Sequence, residues 1–206
     1  MFENLNINVT PGSPLAYTRE EIIHLTGVLG VHPTLAQNDN IRIEINPYPD
    51  AIQVIVKTAA ITRLELTINT RVKTIENNSI RAVQQKYGLA GKWVASQSGA
   101  ATSKGFRHLE ALAYRDDSGA TALWSGYIVW GKLGYVLYDT SIHDFARFMK
   151  AKGRTEKSLI ELLSSKDGLD FWIAEGFSWQ GIFDLIPNSE SYRILREYME
   201  RKNRLS

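Results

Sequence analysis

Cysteine is absent from all 206 residues. This excludes structural disulfides, cysteine-ligated zinc, iron–sulfur clusters and thiol nucleophiles together, so any catalysis here uses oxygen or nitrogen groups. Long apolar runs are missing too: none approaches the roughly 20 residues that a membrane-spanning helix needs. The start MFENLNINVTPGSP has neither the basic region nor the apolar stretch of a secretory signal. A cytoplasmic protein with no membrane partner is the resulting expectation. Charge of one sign is also scarce. The 24 basic and 22 acidic residues leave a formal +2, too small for the positive field of a dedicated nucleic-acid binder, which argues against nucleic acid as a partner. There is no glycine-rich loop ending in Gly-Lys-Ser/Thr, no Gly-x-Ser-x-Gly elbow and no His-Glu-x-x-His. The histidines at 24, 32, 108 and 143 show no close ligand spacing, so no metal is expected.

What remains is an ordinary globular composition, 44% hydrophobic and 22% charged, long enough to bury a core without a staple. Residues 1–16 read as a loose arm or a strand. Thr18, Glu20 and Glu21 ahead of Ile22, Ile23 and Leu25, with Gly27 closing, describe a short helix with an N-cap, an acidic first turn and a glycine stop. From Ile41 the apolar period becomes two, through Ile43 and Ile45, then Ile52, Val54 and Val56, then Leu64, Leu66 and Ile68. That predicts an antiparallel meander. Asn77-Asn78-Ser79 predicts a break before a strand from Ile80 to Gln84. A helix over 91–104, a strand over 108–114, a short aromatic helix over 121–132 and a strand over 135–138 follow. Strand, helix, strand implies a parallel pair, hence a mixed sheet. Residues 142–206 are expected to be helical.

One segment carries chemistry. Gln85-x-x-Gly88-x-Ala90, between a strand and a helix, suits a pyrophosphate: the turn offers backbone N–H groups and the helix start adds its positive partial charge. Gly88 lets the backbone approach the phosphates, Ala90 keeps the helix entrance uncrowded, and Lys92 adds a cation. The other reading is a helix start with a conveniently placed glycine.

This pattern, followed by a second strand, an aromatic helix and Trp130-Gly131-Lys132-Leu133-Gly134-Tyr135, resembles the GNAT N-acetyltransferase superfamily over about residues 60–140. The family's phosphate pattern is Gln/Arg-x-x-Gly-x-Gly/Ala, and its later helix often ends in Tyr-x-x-Leu-Gly-Phe. Ser125-Gly126-Tyr127-Ile128-Val129-Trp130 adds a likeness to an uncharacterised GNAT-like group. The resemblance implies a twisted mixed α/β sheet flanked by helices over residues 1–141, with a helical extension over 142–206 packed on it. It also implies acetyl-CoA as cosubstrate and an amine acceptor. Gln85, Gly88, Leu89, Ala90, Gly91 and Lys92 would cradle the pyrophosphate, and Val83 and Gln84 would flank the pantetheine arm. Trp130 stands where many members have the tyrosine that protonates the departing thiolate, and an indole N–H is a poor acid. Tyr127, one turn earlier, shares its face and can substitute; core packing is the alternative for both aromatics. Glu110 is the candidate general base, against a solvent-facing strand residue. The function expected is N-acyl transfer by direct attack; the alternative is a non-catalytic module that has lost the general acid. Five tryptophans and the extension leave room for a homodimer surface.

Overall fold

The computed structural model describes residues 5–31, 41–58, 61–82, 89–115 and 126–203. The chain forms two compact units, the first reaching Leu109 and rejoined from Met199, the second running from Glu110 to Tyr198. Both mix helix and strand. No helix among the described residues is long and apolar enough to cross a membrane.

In the first unit, β1 (Asn6–Val9) lies parallel to β2 (Arg42–Pro47), and β3 (Ala51–Lys57), β4 (Ile61–Asn69) and β5 (Thr74–Ala82) continue as the expected antiparallel meander. The sheet is therefore mixed, and of the residues before the first helix Asn6–Val9 form a strand. The period-two apolar set lines one face: Ile43 opposes Val56, Ile45 opposes Val54, and Val54 opposes Leu66, all buried. Each such side chain contributes about 1.5–3 kcal/mol on leaving water. The other face is tied sideways by polar groups: Asn46 Nδ2 donates to Gln53 Oε1 at 3.3 Å, and Gln53 Nε2 to Glu65 Oε1 at 2.9 Å.

The break expected at Asn77–Ser79 is absent, and β5 runs through it. A bulge replaces it: Leu66 pairs with Asn77 and Glu65 with Ser79, leaving Asn78 as the extra residue. A bulge switches the side-chain parity, so the buried positions Ile75 and Asn77 precede it while Ile80 lies opposite buried Leu64 beyond it. In sequence the break is suggested by Asn77-Asn78-Ser79, residue types common in turns, which here sit at the bulge.

Helices complete this unit. In α1 (Arg19–Leu25) Thr18 and Glu21 form a reciprocal capping box, and Gly27, at φ +72°, supplies the stop. α2 (Val28–Val31) follows at once, and α3 (Leu89–Ser103) begins two residues ahead of expectation.

The second unit takes most of β6 (His108–Ala113), then α4 (Gly126–Lys132), β7 (Val136–Leu137), α5 (Thr140–Ala151), α6 (Leu159–Ser164), α7 (Lys166–Glu175), β8 (Trp179–Asp184) and α8 (Glu190–Asn203) as far as Tyr198. Its strands run in the order β6-β8-β7. The stretch after residue 142 is therefore not wholly helical. In β8, Trp179, Gly181 and Phe183 are buried and alternate with more exposed neighbours, a strand period hidden among aromatic residues. Val136 pairs with Ile182 and Leu137 with Gly181, antiparallel, so residues 110–141 and 142–198 build the same unit. Of the aromatic helix expected over 121–132, residues 121–125 lie outside the described residues.

Candidate functional site

Val83, Gln84, Gln85 and Gly88 lie outside the described residues. The rest of the predicted set stands in two places. Leu89, Ala90, Gly91 and Lys92 form the first turn of α3, in the first unit; Glu110 on β6 and Tyr127 on α4 belong to the second.

The start of α3 has the electrostatics an anion needs. The first N–H groups of a helix have no partner within it, and the aligned peptide dipoles leave that end partly positive. No acidic residue occupies this first turn, and Lys92 is exposed there while Gly91 is buried. The turn is held closely from behind. A Cβ on Gly30 of α2 would come within 2.3 Å of the Lys92 carbonyl oxygen and 2.7 Å of Ser96 Cβ, so only glycine permits this approach.

One turn further on, Trp93 Nε1 donates to the Thr26 carbonyl at 2.6 Å, and Gln97 Nε2 donates to the Leu25 carbonyl at 3.3 Å. Two α3 side chains thus satisfy carbonyls that the end of α1 leaves over. Gln97 also forms a reciprocal amide pair with Asn77 of β5: Asn77 Nδ2 to Gln97 Oε1 is 3.0 Å, and Gln97 Nε2 to Asn77 Oδ1 is 2.9 Å. Both side chains are buried. In sequence the pair is marked only by a lone glutamine on the buried side of a helix made mostly of Ala, Ser and Gly.

Glu110 is half-buried between the buried Leu109 and Ala111, on the face of β6 shared by Leu112, which is 52% exposed. The carboxylate therefore stands on the more open side of its strand. Tyr127 is buried at the start of α4, and its hydroxyl donates to the Ile173 carbonyl at 3.2 Å. Its own carbonyl accepts two indole N–H groups, from Trp172 at 3.0 Å and Trp179 at 2.8 Å. Trp130 is buried as well and meets Tyr135 edge-on, the ring centroids 4.7 Å apart. Beside Tyr127, Arg115 caps the end of α7 through the Ala174 carbonyl at 2.8 Å and the Gly176 carbonyl, with its guanidinium carbon 5.5 Å from the Tyr127 ring centre. In sequence, Arg115 reads only as part of a charged loop.

Among the described residues no group of three or more acidic or histidine side chains is placed to hold a metal ion. No family model, curated protein or solved structure matches this chain.

Proposed function

We propose that the protein binds an acyl-CoA at the start of α3 and moves the acyl group, acetyl or a close relative, to an amine by direct attack. The observation that carries this reading is the passage from β5, ending at Ala82, to α3, opening at Leu89 with an acid-free first turn. The Gln85-x-x-Gly88-x-Ala90 pattern falls at that passage. Backbone N–H groups and the positive helix end suit a pyrophosphate there.

In the reaction, the amine nitrogen forms a bond to the thioester carbonyl carbon, the carbon–sulfur bond breaks, and the thiolate leaves to take up a proton. Glu110 accepts the proton that the attacking ammonium must lose. Most of the rate comes from holding amine and thioester together and from a backbone N–H polarising the carbonyl. Calorimetry tests the cofactor claim: acetyl-CoA or CoA binds in the micromolar range, and Gly88→Glu abolishes binding in a folded protein because a carboxylate then occupies the phosphate position. A wild type that binds neither removes the reading.

A second reading, a non-catalytic acyl-CoA-binding module, is favoured by one observation. The Tyr127 hydroxyl is already engaged with the Ile173 carbonyl, and Trp130 is packed against Tyr135. CoA binding without turnover across a panel of primary amines selects this reading over the enzyme.

A further inference from the structure

The Asn77–Gln97 pair is a buried polar contact between α3 and β5. α3 turns Gly91, Val94, Ser98 and Ala101 inward beside Trp93 and Gln97. Small residues make a smooth surface with few ridges to fix how far the helix slides along its axis. The amide pair adds what they lack: two opposed hydrogen bonds, at 3.0 and 2.9 Å, that close only at one axial position and one rotation. Replacing both partners of a buried hydrogen bond by apolar groups of similar shape can be nearly neutral for stability. What distinguishes such a pair is therefore geometric definition rather than net stabilisation.

Its location gives that definition a use. Gln97 lies two turns beyond Leu89, about 12 Å down the axis at 1.5 Å per residue. Asn77 sits beside the bulge of β5, ahead of the strand's end at Ala82. We propose that the Asn77–Gln97 amide pair is a positioning device, fixing α3 in register on β5 so that the first turn, Leu89 to Lys92, stands where it receives the phosphates. This rests on the acyl-CoA reading above, and it assigns to two buried amides a role in affinity that neither performs by touching the ligand.

The test separates folding from positioning. In the full-length chain, Asn77→Leu and Gln97→Met each break the pair and lower the melting temperature, the second more because it also releases the Leu25 carbonyl; the double variant recovers part of that loss. CoA affinity, measured by calorimetry well below every melting transition, stays weaker than wild type by about tenfold or more in the double variant. A purely structural pair predicts that affinity returns with stability. Wild-type affinity in the folded double variant therefore overturns the proposal while leaving the acyl-CoA reading intact, whereas a wild type that binds no CoA overturns both. Should the double variant fail to fold, Asn77→Ser, which keeps a small polar group, is measured in the same way: weakened CoA binding in the folded protein supports the positioning role, and unchanged binding overturns it.

Discussion

Tyr127 holds its surroundings together through two different groups. The hydroxyl bonds the Ile173 carbonyl, while the backbone carbonyl gathers two indoles whatever side chain the residue carries. Tyr127→Phe should therefore cost only about 1 kcal/mol of stability, measured by denaturant titration. If the residue protonates the departing thiolate, the same substitution lowers turnover with acetyl-CoA affinity unchanged; equal turnover in the two proteins assigns Tyr127 to packing alone. Glu21 offers a pH handle. The Lys104 ammonium, followed by the Thr18 backbone N–H, holds its carboxyl down to about 2, from an ordinary 4.5. A carboxyl depressed on folding stabilises the protein above its unfolded value and loses that contribution as pH falls through the folded one. Between pH 4.5 and about 2 the wild type should thus lose melting temperature faster than Glu21→Gln, with a smaller difference at high salt because the pair is exposed. At this scale the sequence was legible where a residue acts on its neighbours, as Thr18 and Glu21 do in their cap. It was not legible where the partner is distant: Gln97 pairs with Asn77 on another element, and Arg115 with carbonyls at the end of α7.

Elements show the same division. The meander was readable because each strand keeps one parity from end to end, so Ile43, Val54 and Leu66 reach one face by alternation alone. β5 carries the turn-type residues Asn77-Asn78-Ser79 through its bulge and β8 is a six-residue strand among aromatics, so the first reads as a break and the second as helix. The contact between α2 and α3 also lies beyond sequence reading, because Gly30 resembles any other loop or helix-end glycine until its neighbour is known. Gly30→Ala would set a methyl group against the Lys92 carbonyl, and the two helices must part. The expected loss is about 1–3 kcal/mol, read from the denaturant midpoint. If the first turn of α3 carries the phosphates, CoA affinity falls with it.

On the scale of the whole molecule, residues 142–198 are integral to the second unit. Tyr135 packs edge-on against Phe183 at 5.7 Å, β7 hydrogen-bonds to β8, and a Cβ on Gly134 would strike the Ser191 carbonyl oxygen at 2.3 Å. A chain ending at Ser141 leaves Tyr127 and Tyr135 without these neighbours. With Trp93→Phe silencing the first unit's indole, the remaining emission of the truncated protein should then be that of water-exposed tryptophan; emission as blue as that of full-length Trp93→Phe shows that residues 110–141 fold unaided. The pattern of buried indoles also makes the chain its own spectroscopic reporter. Trp93 lies in the first unit, and Trp130, Trp172 and Trp179 lie in the second. Trp93→Phe thus shifts the emission toward the second unit, while far-ultraviolet dichroism still counts the helices of both. If the two signals change together on heating, the units melt as one; if they separate, the gap between their midpoints measures how independently each half holds its fold.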